Sequence, residues 1–131
     1  MWEAIALNAV GWGTALLGDH EEALALCEEA LALARERGNR QGEAAVLDAL
    51  GNLARLDGQH ADAIDRYQEA LALHQELGAT YGEADTWDRL GHAHSALGGD
   101  DVAEDARRRA LELYETQHRV ADAERVRQLL A

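Results

Sequence analysis

The chain places apolar residues at the spacing of amphipathic helices. Leu24, Cys27 and Leu31, for example, recur at intervals of three and four residues and so share one helical face. The pattern returns at a fixed interval, and three segments of equal length align without a gap, namely residues 3–42, 43–82 and 83–122. Such regularity predicts one structural unit used three times.

Each repeat is predicted to contain two helices, because glycines divide it at regular positions. Glycine adopts the left-handed backbone conformation that ends many helices. The predicted stop positions are Gly18, Gly58 and Gly98 after the first helix and Gly38 and Gly78 after the second. The repeat is therefore interpreted as a helical hairpin.

A further glycine column lies inside the first helix, at Gly11, Gly51 and Gly91. Glycine costs about 1 kcal/mol relative to alanine in a helix interior, so its use in all three repeats needs a common reason. We predict that the two helices of each hairpin cross closely there. The small residues expected opposite form two alanine columns, Ala23/Ala63/Ala103 and Ala30/Ala70/Ala110.

The last segment, residues 120–130, predicts a C-terminal capping helix. Val126, Leu129 and Leu130 are expected to pack on the last hairpin, while Arg125 faces water. The predicted fold is therefore all-α, an α-solenoid of three helical hairpins plus a capping helix, with seven helices in all. Because the first repeat helix begins at once, without a cap of its own, we expect the chain to be a piece of a longer protein.

Composition excludes several functions. A length of 131 residues suits one domain, 1–131, and the net charge is −13 with arginine as the only basic residue. Without lysine there is no P-loop lysine and no Schiff base, and the acidic surface would repel nucleic acid. A single cysteine, no signal peptide and no bilayer-spanning apolar stretch predict a cytoplasmic protein that does not bind membranes.

The sequence shows no arrangement typical of catalysis or metal binding. His92 and His94 are two residues apart on a helix and point to different faces, so they cannot share an ion. Cys27 holds a packing position, and Ser95, the only serine, lacks a nucleophile elbow. We therefore expect no enzyme activity, no catalytic residue, no metal and no cofactor.

The repeat columns resemble the tetratricopeptide repeat family. The match includes a large apolar column, Leu7/Leu47/Trp87, beside the glycine and alanine columns already named. Only Tyr67 supplies the aromatic residue expected in the second helix, and Arg107 stands at that position in the third repeat. The 40-residue period exceeds the usual 34 or so and resembles a long-repeat subgroup. The ending "RRRALELYETQHRVADAERVRQLLA" is similar to the C-terminal repeat region of actinobacterial regulators.

This resemblance implies a protein-interaction module, in which the first helices line a concave groove that binds a peptide or a partner helix. Carried over by position, the implied groove residues are Asn8, Trp12, Asp48, Asn52, Arg55, Asp85, Asp88, Arg89 and His92. Because charges of both signs occur among them, we expect a partner with both charges and an apolar side chain. A purely acidic peptide is expected to bind poorly.

Two other roles need comparison with this one. Chaperone adaptors of the family grip a C-terminal carboxylate, but the corresponding positions here are Asn8, Trp12, Ala49, Asp85 and Arg89. Only the arginine suits that task, so the role is not expected. The alternative that stays open is a structural segment that self-associates through its exposed array ends, beginning at Trp2. The parent protein is expected to be a larger bacterial regulator.

Overall fold

The computed structural model describes residues 20–131, and this part of the chain is entirely helical with intervening turns. Its six helices are α1 (His20–Glu36), α2 (Arg40–Leu56), α3 (His60–Leu77), α4 (Thr80–Ala96), α5 (Asp100–Thr116) and α6 (Val120–Leu130). The seventh predicted helix, the first of repeat one, lies outside the described residues. Within them, no helix has the length and apolar character needed to span a bilayer.

The helices follow one another with strict regularity, since their starting positions are equally spaced along the chain. Every turn contains one residue with positive φ, and these are Gly38, Gly58, Gly78, Gly98 and His118. At the first turn, the amide of Asn39 donates to the carbonyl of Ala34 and that of Gly38 to the carbonyl of Arg35. This pair of bonds closes a Schellman motif, and it recurs at the other four turns. The predicted glycine stops at 38, 58, 78 and 98 are confirmed.

The two alanine columns lie in the helix contacts, as predicted. Their described members, Ala23/Ala63/Ala103 and Ala30/Ala70/Ala110, are fully buried. Around them the core forms three successive clusters along the array, and its largest fully buried side chains are Tyr67 and Tyr114. Stacking of neighbouring hairpins thus provides the burial that one hairpin alone could not.

The glycine column marks a close crossing, but the residues opposite differ from the prediction. A Cβ atom at Gly51 would lie 2.5 Å from the ring of Tyr67, and one at Gly91 would lie 2.8 Å from Cγ of Arg107. Of the alanine columns, only the carbonyl oxygen of Ala103 approaches Gly91, at 3.4 Å. Glycine therefore makes room for a large side chain of the second helix rather than for a small one.

Another glycine, Gly82, lies in the first turn of α4 and makes room for a second large side chain. A Cβ atom there would lie 2.4 Å from the ring of His74 on α3. Helices α2 and α4 begin at Arg40 and Thr80, shortly before the start of each aligned repeat. Because Gly82 has no side chain, the His74 ring fits beside α4 and can contact Asp48 of α2.

The capping helix α6 contacts the last hairpin through fewer apolar residues than expected. Ala123 and Val126 are buried and Leu130 packs against the adjoining cluster, but Leu129 is 44% exposed. Arg125 is exposed, as predicted, and it also forms an ion pair with Asp88 of α4. Since that aspartate carries a buried charge, a nearby arginine offsets the cost of its burial.

Candidate functional site

The first helices of successive repeats lie side by side and form one continuous face. Thr86 and Arg89 of α4 contact Asp48 of α2, and Arg125 of α6 contacts Asp88 of α4. We call the face formed by α2, α4 and α6 the inner face. Seven of the nine predicted groove residues lie on α2 and α4, whereas Asn8 and Trp12 lie outside the described residues.

Asp48 is a structural residue of this face rather than a group open to a ligand. It is only 9% exposed, and its Oδ1 accepts a hydrogen bond of 2.9 Å from the Thr86 hydroxyl. Its Oδ2 lies 2.8 Å from Nε2 of His74, and the Arg89 guanidinium lies 3.6 Å away. One carboxylate thus joins α2, α3 and α4.

Asp88 repeats this arrangement one repeat later. The Tyr114 hydroxyl lies 3.1 Å from its Oδ2, and Nη2 of Arg125 donates to the same oxygen at 2.5 Å. Tyr114 lies one repeat period after His74, so the second helix supplies the corresponding contact in both repeats. Burial, and then the carboxylates of Asp88 and Asp85, raise the pKa of Tyr114. The phenol therefore stays protonated and able to donate.

Asp85 and Asn52 are also engaged within the fold. Oδ1 of Asp85 accepts from the Tyr114 hydroxyl at 2.9 Å and from Nη2 of Arg119 at 2.8 Å. Oδ1 of Asn52 accepts from the Tyr67 hydroxyl at 2.5 Å. The fold thus engages all three predicted aspartates in ion pairs or hydrogen bonds, and of these the Asp85 side chain stays the most exposed, at 35%.

Polar side chains of the inner face, together with the first residue of α3, surround an open pocket of about 530 Å³. Its lining residues are Arg55, His60, Asp88, Arg89, His92 and Arg125. Four of these belong to the predicted set, which the structure thus brings together around one pocket. The side chains of Arg89 and His92 are 37% and 47% exposed, respectively, so a ligand can reach them.

Sequence reasoning missed two of the lining residues. His60 is the first residue of α3, a helix outside the predicted groove. Arg125 lies one repeat period after Asp85, a predicted groove position, so extension of the repeat columns into α6 would have found it. The sequence instead suggests a cap whose charged side faces solvent, and under that interpretation the match between Arg125 and Asp85 is missed.

Positive charge predominates around His92. Burial lowers the pKa of its imidazole; Asp88 opposes this shift, and the cations of Arg107, Arg125 and Arg55 add to it. The ring is thereby kept neutral near neutral pH. In this state it offers one donor and one acceptor among guanidinium groups.

A second pocket, on the side of the array opposite the inner face, has charged lining residues that are mainly acidic. It measures about 520 Å³ between α1 and α3, and its charged lining includes Glu28, Asp62, Asp65 and Glu69. The one arginine in its lining, Arg66, forms an ion pair with Glu28 at 3.2 Å. The two sides of the described array therefore differ in sign.

The described residues offer no other reactive constellation. No three His, Cys, Asp or Glu side chains within residues 20–131 are grouped to hold a metal ion. Cys27 is buried in the core, and burial, followed by the charge of Glu28, raises the pKa of its thiol to about 11. A thiol with so high a pKa is a poor nucleophile at neutral pH.

Stacked helical hairpins with an open inner face define a class of repeat protein, the α-solenoids. Residues 2–76 and 55–116 match the tetratricopeptide repeat family, and the chain belongs to that family. Domains of this family generally mediate protein–protein interaction. No curated protein has a significantly similar sequence.

Solved structures show the same fold. The tetratricopeptide repeat domain of Arabidopsis FLU superposes with a TM-score of 0.81 at 20% identity, covering 88% of this chain and 97% of that one. BtubC (BKLC) from P. vanneervenii gives a TM-score of 0.76 at 18% identity, covering 94% of this chain and 59% of that one. At such identities the similarity establishes the fold alone.

Proposed function

We propose that this protein is an interaction module that binds an extended peptide or a partner helix along the inner face. The observation that supports this most is the open pocket at which Arg55, Arg89 and His92 meet. Binding sites carry polar groups that converge on a ligand, and this open pocket provides such groups.

The proposed site also includes the first repeat. Trp12 and Asn8 precede the described residues, and their repeat positions correspond to Asn52 and Asp48. A tryptophan on a binding face is a frequent anchor, since a large share of binding energy comes from a few aromatic and arginine side chains. We infer that Trp12 supplies the apolar contact and Arg89 the polar contact.

The parent protein is proposed to be a cytoplasmic bacterial regulator that uses this array to receive a partner. This inference depends on the long repeat period and on the C-terminal ending described above. Determination of the gene sequence upstream of Met1 tests it. An ATPase or DNA-binding domain there would support the regulator, and a stop codon just before Met1 would count against it.

The binding face can be tested with peptides selected from a display library against the purified protein. We expect Arg89→Ala and Trp12→Ala each to weaken the selected peptides about tenfold or more, as loss of a central anchor does. Helical circular dichroism and melting temperature should stay near those of the unmodified protein. Calorimetric titration measures the affinities.

The matched control is Arg66→Ala, which removes the same charge from the opposite side of the array. This variant should bind the peptides normally. If Arg66→Ala weakens binding while Arg89→Ala and Trp12→Ala do not, the inner face is not the site.

A further inference from the structure

Arginine is concentrated at one place on an acidic protein. Although the chain carries a net charge of −13, Arg55, Arg89 and Arg125 line the inner-face pocket, and Arg107 adds its field at His92. Like charges held close together repel one another and destabilise the fold. An anionic ligand would relieve this repulsion.

The neighbouring aspartates neutralise this cluster only in part, because Asp48 pairs with Arg89 and Asp88 with Arg125. Asp88 is bound by Arg125 and Tyr114, and Asp48 by Thr86 and His74. Within residues 20–131, no carboxylate forms an ion pair with Arg55 or Arg107. Arg55 interacts with the neutral Tyr67 hydroxyl, so its other guanidinium donors and those of the partly exposed Arg89 are left for a ligand.

Arg107 occupies a position that packing alone would fill differently. Its counterpart in the preceding repeat is Tyr67, whose ring lies against Gly51 and whose hydroxyl reaches Asn52. The stem of Arg107 lies against Gly91 in the same way, and His92 is the counterpart of Asn52. A cation thus replaces a neutral phenol at a position whose charge acts on His92 of the pocket.

The Nε atom of Arg107 is buried and has no hydrogen-bond partner among the described residues. A buried donor without a partner is costly. An aromatic residue would fill the same space beside Gly91 without that cost. Arg107 therefore differs from an aromatic residue at this position mainly in its positive charge.

We propose that the inner-face pocket recognises an acidic segment of the partner, whose side-chain carboxylates bind Arg55 and Arg89. A guanidinium group can donate two parallel hydrogen bonds to a carboxylate, which gives both strength and orientation. Arg125 in the pocket lining and Arg107 near His92 add positive charge to the site. This proposal rests on the proposed function, and it adds the chemistry of the ligand to the location of the site.

The test uses the full chain and two short fluorescein-labelled peptides. One is rich in Glu and Asp around a central Leu, and the other carries Gln and Asn at the same positions. Fluorescence anisotropy should show the acidic peptide binding at least about tenfold more tightly, since charged hydrogen bonds contribute more than neutral ones. Arg55→Ala and Arg89→Ala should each remove about tenfold of that affinity.

Two further variants test whether binding of the acidic peptide depends on the charge of Arg107 rather than on its packing, and on where on the protein an arginine lies. Arg107→Tyr restores the residue type of Tyr67, so it should keep the fold but weaken the acidic peptide. Arg108→Ala removes the same charge from an exposed residue of α5, whose partner is Glu104, and should bind normally.

Equal binding of the two peptides would overturn the proposal, as would an equal loss in Arg108→Ala. Binding confined to a phosphoserine version of the peptide would also overturn it, because the ligand would then be a phosphate. Uncharged peptides that are selected from the library and lose affinity in Arg89→Ala would preserve the proposed function while rejecting this inference. Selected peptides that depend on Arg66 alone would reject the proposed function itself.

Discussion

Asp48 and Asp88 show that a position on a helix does not by itself decide what a side chain does. Both are on the inner face, where a carboxylate could meet a partner, yet each is buried and holds three helices together. The partners of Asp48 include Thr86, which belongs to the next repeat along the chain. Sequence periodicity places a residue on a face, but it cannot show which distant donors will surround it.

A substitution at Gly51 tests the close helix crossing at the scale of single residues. Gly51→Ala would place a methyl group 2.5 Å from the ring of Tyr67, which is fully buried and bonded through its hydroxyl to Asn52. Overpacking costs about 1–3 kcal/mol, while alanine regains about 1 kcal/mol of helix propensity. We expect a net loss of stability, measured by urea denaturation.

Gly91→Ala is the matched control. Its new methyl group would lie 2.8 Å from Cγ of Arg107, whose side chain has more rotamers available than the hydroxyl-bonded ring of Tyr67. This variant should lose less stability than Gly51→Ala. If Gly51→Ala is as stable as Gly91→Ala, the close crossing at Tyr67 does not explain the glycine.

At the scale of elements, the sequence predicts most of what the structure shows. The glycine turns and the range of α6 follow from local conformational preference and apolar spacing, which act over a few residues. The turn after α5 has no glycine, and His118 adopts a φ of 58° there. Neighbouring helices override local preference at that point.

His118→Gly should therefore stabilise the protein. A side chain in the left-handed region costs about 1–2 kcal/mol, part of which is offset by the greater freedom of glycine in the unfolded chain. We expect a gain of about 0.5–1 kcal/mol, seen as a melting temperature a few degrees higher. Gly98→Ala, at an open turn with the same backbone, should shift it in the opposite direction.

At the scale of the whole molecule, the inner face carries the cationic pocket and the opposite side the acidic one. Sequence analysis identified four residues of the cationic pocket but not its sign. The sign depends on which carboxylates the fold itself uses, and that depends on contacts between helices. A net charge of −13 does not reveal this separation.

The alternative function, self-association, belongs to this scale. Val120 is 75% exposed and Leu129 44% exposed on α6, and Trp2 lies in the first predicted helix, outside the described residues. Exposed apolar ends favour stacking of arrays. If the segment is structural, light scattering should show dimers or larger species that grow with concentration, and Trp2→Glu should reduce them. A monomer at high concentration would remove this alternative.

The equal spacing of the helices creates a risk of mispairing, which the two buried aspartates reduce. Since the described helices start at equal intervals along the chain, the backbone alone would let repeat two stack on a copy of itself from another molecule. Asp48 would then face Val46 and Ala49 in place of Thr86 and Arg89. Asp48 would lose the Thr86 hydrogen bond and the nearby Arg89 charge together, which would make the mispaired stack less stable than the native one. The buried aspartates thus help to determine which repeat stacks on which.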